Sequence, residues 1–219
     1  MKDILMGKST THLKQDGDFW VHHKALDPFR ELCEAARKAG FDIRPISVFR
    51  PLDGQLAIWN AKARGERSLL DPSGKPLNYP NLSRHEILKA ILHWTAVPGA
   101  SRHHWGTEFD IYDSRALSPW QGPSLTPEES EGPMGAMHSW LDDNLKSFDF
   151  FRPYAKDLGG VCPERWHISY RPVSQEYFER YNFQLFCEAI DRADLELAPF
   201  IRKEASDIFD RYVRNIAVP

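Results

Sequence analysis

The chain has 219 residues, of which 42% are hydrophobic and 12% aromatic, and its formal net charge is -3. That much apolar material excludes wholesale disorder and suits one domain with extensions or two small ones. The weakly acidic balance supplies no electrostatic footprint for nucleic acid and no polybasic motif for a membrane surface.

The stretch from Met1 to Ser9 lacks the apolar run of a signal peptide, and no later run is long enough to span a bilayer. As written, the chain reads as cytoplasmic, with no membrane span. Gly7-Lys8-Ser9 ends like a phosphate-binding loop but lacks the upstream glycine, so it is read as chance.

Asp27 and Pro28 predict a helix start, as N-cap and first helical residue. Phe29, Leu32, Cys33 and Ala36 then form one apolar stripe, and Gly40 closes it. Residues 41–49 predict a strand in which Pro45 marks an edge or a bulge. Asp53 predicts the cap of a second helix with Leu56, Ile58 and Trp59 on its apolar side and Gly65 at its end. Residues 66–81 read as a loop. Ser83 and Glu86 form a capping box for a helix over 84–95.

Residues 107–112 predict a strand and 114–132 a long loop. Met134, Met137, Leu141 and Leu145 follow at helical spacing, and 165–170 has strand-like composition. From Ser174 onward the pattern is helical, with an interruption near Pro199. Tyr177, Tyr181, Leu185, Ile190, Ile201, Ile208, Tyr212 and Ile216 are expected to face inward.

Helices and strands mix without strict alternation, which predicts an α+β fold with a small antiparallel sheet flanked by helices. The expected division is a domain over 1–173, with its motif-bearing core at about 41–170, and a helical C-terminal extension over 174–219 packed on it. Cys33, Cys162 and Cys187 are odd in number, widely spaced and without a CxxC pair. They read as reduced, mostly buried thiols rather than a disulfide framework or a cysteine zinc site.

Two segments carry chemistry: Ser101-Arg102-His103-His104-Trp105-Gly106-Thr107-Glu108-Phe109-Asp110 and Glu164-Arg165-Trp166-His167. Between them they offer two imidazoles and a carboxylate that could hold zinc, and a further carboxylate to move protons. Gly106 suggests a turn into a strand, which lets two ligands seven positions apart face one point. In a regular strand Glu164 and His167 would face opposite ways, so they could share a site only through a turn or bulge near Pro163.

The pattern S-x-H-x-x-G-x-x-x-D followed by E-x-W-H resembles the VanY-type D-alanyl-D-alanine carboxypeptidases, zinc peptidases related to lysostaphin and to the hedgehog signalling domain. Ser47-Val48-Phe49-Arg50 with Gln55 resembles that family's upstream S-x-x-R-x-x-x-x-Q element. The resemblance covers roughly residues 41–170. It implies a hedgehog/D-Ala-D-Ala peptidase-like fold, a Zn2+ cofactor, and a peptidoglycan stem peptide or another D-Ala-D-Ala-containing peptide as partner.

The resemblance also implies that His103, Asp110 and His167 are metal ligands, Glu164 a general base and Arg50 a group that stabilises the developing oxyanion. Gln55 and Ser101 would then bind substrate. D-Ala-D-Ala carboxypeptidase activity is the leading expectation. A D-Ala-D-Ala dipeptidase, an L-Ala-D-Glu endolysin and a non-catalytic zinc-containing binding module remain as alternatives. Glu108 departs from the family, which usually has a small apolar residue there. It could face away, pair with a base such as Arg50, or disturb the site.

Overall fold

The computed structural model describes residues 1–118 and 122–217. Helix α1 (Lys2–Leu5) leads into a hairpin of β1 (Leu13–Asp16) and β2 (Phe19–His22). Helix α2 (Leu26–Lys38), β3 (Ile43–Ser47), α3 (Leu52–Ala63), α4 (Arg84–Leu92) and β4 (Glu108–Asp113) follow. Next come α5 (Pro127–Glu131), α6 (Gly135–Asn144), β5 (Phe150–Phe151) and β6 (His167–Tyr170). The chain ends in α7 (Arg171–Arg180), α8 (Phe183–Ile190), α9 (Ala198–Lys203), α10 (Ala205–Ile208) and a π-helical turn over Phe209–Arg214. Strands β3, β4, β6 and β5 form, in that order, a four-stranded sheet in which every pair is antiparallel. This is the α+β architecture that the mixed pattern predicts.

Local signals account for most elements, and burial moves several boundaries. Helix α2 starts at Leu26, which is buried, so Asp27 and Pro28 sit inside its first turn instead of at its edge. A proline is tolerated there because first-turn N–H groups have no intrahelical partner. Likewise α3 begins at Leu52, and Asp53 is a first-turn acid rather than the cap. The capping box of α4 is present in both directions, Ser83 Oγ accepting from Glu86 N and Glu86 Oε2 from Ser83 N.

The loop expected over 114–132 contains the short helix α5, capped by Thr126; its residues 119–121 lie outside the described ones. Helix α7 begins at Arg171, ahead of Ser174, and Pro199 opens α9 within its first turn. The interruption expected near Pro199 is the segment 191–197 just ahead of it, since a proline can start a helix that it could not continue.

Pro45 marks both an edge and an irregularity, since β3 is the outer strand and its register with β4 shifts between Pro45 and Ser47. The shift sets Ser47 opposite Asp110 and leaves Ile46 exposed.

Two hydrophobic clusters flank the sheet. One joins α2, α6 and the sheet, with Phe29 stacked on Phe109 at 4.1 Å between ring centroids. The other joins α3 and α4 to the C-terminal helices through residues such as Trp59, Ile91, Tyr177, Phe186 and Ile208. Tyr177, Tyr181, Ile190, Ile201, Ile208 and Tyr212 are buried as expected, while Leu185 and Ile216 are half-buried. All three cysteines are free; Cys162 is buried, Cys33 and Cys187 half-buried. No helix among the described residues is long and apolar enough to cross a membrane.

Burial also stores acid sensitivity. His22 and His138 are each pushed down to about 3, first by burial and then by neighbouring positive groups such as His23 and Arg152. In the unfolded chain these imidazoles titrate near 6.5, so between that value and about 3 the unfolded state binds protons that the folded state does not. Their contribution to stability is complete above the unfolded value and is lost as pH falls. The urea midpoint should therefore drop steadily from about pH 7 to about pH 4.5, and His138→Gln should flatten that slope. An unchanged slope in a folded variant would remove His138 from the explanation.

Candidate metal centre and active site

The site is built from the polar face of β4 and β6. Side chains alternate along a strand, so Phe109 and Ile111 enter the core while Glu108 and Asp110 share the opposite face. The antiparallel register sets Asp110 beside His167 and Glu108 beside Ser169. His103 arrives from the 3-10 turn Arg102–Trp105, which Gly106 terminates in the left-handed region at φ 67°. A Cβ at Gly106 would lie 2.5 Å from Leu13 and 3.0 Å from the backbone nitrogen of His22, so the β1–β2 hairpin closes directly on this glycine.

One ligand atom from each of His103, Asp110 and His167 lies within 4.8 Å of the others, and all three residues are buried. His103 Nδ1 is 2.7 Å from the Val48 carbonyl oxygen. A carbonyl only accepts, so Nδ1 donates to it and Nε2 is the nitrogen turned toward Asp110 Oδ2, 3.2 Å away. His167 Nδ1 is 3.0 Å from Asp110 Oδ1. Two imidazole nitrogens and a carboxylate oxygen around one point are the donor set of a catalytic zinc site with a position to spare. The residues present therefore fit the metal.

The electrostatics agree. Burial opposes the charged forms of both partners, yet His103 and His167 hold the Asp110 carboxyl far below its usual range. Burial likewise works against the His167 imidazolium, but Asp110 and Glu108 outweigh it and raise the group to about 10. Burial raises Glu164 to about 8, Asp110 adding to the effect while His167, Lys62 and Arg50 oppose it. A cluster of buried carboxylates that drives its own histidine to hold a proton is poised for a cation.

Glu164 stands outside β6. Residues 165 and 166 form a turn, closed by His167 N donating to the Glu164 carbonyl at 3.2 Å. This is the irregularity the sequence requires, and it brings Glu164 Oε2 to 3.7 Å from His167 Nδ1. Arg50 reaches the same centre, with Nη2 3.9 Å from Asp110 Oδ2 and donating to Ser47 Oγ at 2.8 Å. Its Nη1 donates to Gln55 Oε1 at 2.8 Å.

A cavity of about 240 Å³ opens over the cluster, lined by His103, Asp110, His167, Glu164, Arg50 and Ser101. Gln55 is placed differently. It is 1% exposed, spends Oε1 on Arg50 and Nε2 on the Ala96 carbonyl, and holds Arg50 from behind the cavity wall.

Sequence reasoning missed three residues. Lys62 lines the cavity from α3, donates to Thr95 Oγ1 at 2.6 Å and is pushed down to about 8 by burial. Tyr154 lines it from the segment before Glu164, where no pattern marks it. Arg102 was passed over inside the motif. Of the places open to it in the sequence, Glu108 takes the pairing with a base, but that base is Arg102, at 3.1 Å, and not Arg50. Its place two positions before Asp110 on a strand was the available signal.

A model of the VanY D-alanyl-D-alanine carboxypeptidase family matches residues 18–173. The chain belongs to this family. An uncharacterised protein of Haemophilus influenzae is 32% identical over 121 residues, covering 53% of this chain and 92% of that protein. A D-alanyl-D-alanine carboxypeptidase of Enterococcus faecalis is 35% identical over 80 residues, 35% of this chain and 25% of that protein. The fold is similar to that of VanYB in complex with D-alanine-D-alanine, with a TM-score of 0.54 and 21% identity over 80% of this chain and 87% of that one. It is also similar to that of a mutant vancomycin resistance D,D-pentapeptidase VanY in complex with Zn(II), with a TM-score of 0.53 and 22% identity over 77% and 86%. The VanY-family fold thus spans both sequence motifs.

The hairpin closure on Gly106 gives a direct test. Gly106→Ala forces a left-handed alanine against Leu13 and should cost about 1–3 kcal/mol. Thermal unfolding measures it; a midpoint equal to wild type would show that this contact does not anchor the turn carrying His103.

Proposed function

We propose that the protein is a zinc-dependent peptidase acting on bacterial cell-wall stem peptides, with D-Ala-D-Ala carboxypeptidase activity as the leading reading. The observation that carries it is the meeting of His103, Asp110 and His167, with Glu164 3.7 Å from His167, in one cavity. A purely structural metal site needs neither an open position nor a neighbouring base.

Zinc, when bound by His103, Asp110 and His167, supplies Lewis-acid chemistry at the scissile carbonyl. The chain's own groups do the rest. Glu164 accepts a proton from the attacking water and returns it to the leaving amine, a shuttle for which its place in the cavity beside the metal-binding residues suits it. Arg50, fixed by Gln55 and Ser47, presents positive charge where negative charge develops on the carbonyl oxygen. Ser101, buried in the cavity wall, offers a hydroxyl to the substrate backbone.

Two features favour a substrate that ends in a carboxylate. Arg50 and Lys62 line the same cavity, and among the described residues Lys62 has no carboxylate within 4.0 Å. The cavity, about 240 Å³, is of a size for a short peptide segment beside these two cations. Exopeptidase action, as carboxypeptidase or D-Ala-D-Ala dipeptidase, is favoured over an endolysin that cuts inside the stem.

Mass spectrometry of products from zinc-loaded protein and a panel of stem peptides, free D-Ala-D-Ala and intact murein tests this reading. Release of D-alanine is expected. Glu164→Ala should keep its zinc and lose roughly 100- to 10,000-fold in turnover. Fully zinc-loaded wild-type protein that leaves every substrate intact would make the chain a binding module. Cleavage inside the stem alone would make it an endopeptidase.

A further inference from the structure

Glu108 is the residue of the central motif that departs from the family. We propose that the buried Glu108–Arg102 pair is a positioning device for His167, and that through it helix α7 becomes part of the support of the metal-binding residues. The inference rests on the zinc reading above.

Glu108 is fully buried, and each of its oxygens is held. Oε2 is 2.9 Å from His167 Nε2 and accepts from Arg102 Nε at 3.3 Å. Oε1 accepts from Arg102 Nη2 at 3.1 Å, from Ser169 Oγ at 2.8 Å and from Thr107 Oγ1 at 3.0 Å. A carboxylate tied to one edge of a guanidinium and to two hydroxyls has no freedom to turn away. It fixes the imidazole plane and makes Nε2 the protonated nitrogen, which leaves Nδ1 to face Asp110 and His103. The strand register does the placing, since Glu108 and Asp110 are two residues apart on one face with His167 paired to the second.

Arg102 is fixed in turn by α7. Its guanidinium carbon lies 4.8 Å from the ring centroid of Trp105 and 5.7 Å from that of Phe178 on α7. Its Nη2 also donates to Ser169 Oγ at 2.8 Å, and that hydroxyl is 2.7 Å from Ser174 Oγ, again on α7. A continuous polar path therefore runs from Ser174 through Ser169, Arg102 and Glu108 to His167. Partners of this kind, outside the ligand set, are worth about 10- to 100-fold in metal affinity.

The test measures zinc dissociation constants of the full chain by competition with a chromophoric chelator. Zinc-free thermal midpoints are recorded beside them. Glu108→Gln keeps the shape but removes the charge that fixes the proton on Nε2. Because it also strands Arg102 without a counter-charge, the double variant Arg102→Met with Glu108→Gln is compared. Zinc affinity should fall about 10- to 100-fold in both variants, while the double variant keeps the zinc-free midpoint of wild type. Wild-type zinc affinity in a folded Glu108→Gln protein would overturn the positioning role. So would a loss of affinity that follows the zinc-free midpoint and is restored in the double variant. Wild-type protein that binds no zinc would overturn the metal reading itself, a different result from wild-type and variant proteins that bind equally.

Discussion

The antiparallel pairing of β4 with β6 is the constraint on which the molecule turns. Asp110 and His167 are 57 positions apart in the chain and become neighbours only because the register sets them opposite each other. The same register puts Phe109 against Ile168 on the other face, where both enter the core with Phe29. A slip of one residue would turn the polar pair into the apolar core and the apolar pair out of it, so the packing of the core enforces the geometry of the site. Stability and chemistry are coupled through the two faces of one strand.

Around that strand, each remaining group is held by an element with its own reason to be there. Gly106 lets the turn carrying His103 close against the β1–β2 hairpin. The register shift in β3 sets Ser47 opposite Asp110 and so supplies an acceptor for Arg50. The turn at 165–166 releases Glu164 from strand alternation. Buried charge is tolerated because it is paired: Arg102 with Glu108, and Arg50 near Asp110. A divalent cation among His103, Asp110 and His167 would offset more of the cost of desolvating these groups.

Much of this was legible in the sequence because its signals are local. The capping box at Ser83 and Glu86, the apolar stripe of α2 and the edge character of Pro45 each depend on residues within a few positions of one another. Once the family resemblance gave Glu164 and His167 a shared site, strand alternation required a turn between them. Local signals misled where tertiary burial overrode them: Leu26 and Leu52 draw their helices one or two residues beyond the caps suggested by Asp27 and Asp53. The convergence of His103, Asp110 and His167 was not derivable from spacing and came from the family resemblance. Lys62, Tyr154 and the Arg102–Glu108 pair were invisible because their meaning lies in contacts that no window of sequence contains. Gln55 shows the complementary error, a motif residue whose amide is spent on Arg50 and the Ala96 carbonyl behind the cavity.

The claim at the centre is that a single divalent cation is held by one nitrogen from each of two imidazoles and by one carboxylate. Anomalous diffraction at the zinc edge from crystals of the zinc-loaded protein tests it most directly. The account predicts one peak about 2.0–2.2 Å from His103 Nε2, Asp110 and His167 Nδ1, with Glu164 beside it but not bound. A zinc ion elsewhere, or one bound through His167 Nε2 in place of Nδ1, would contradict it.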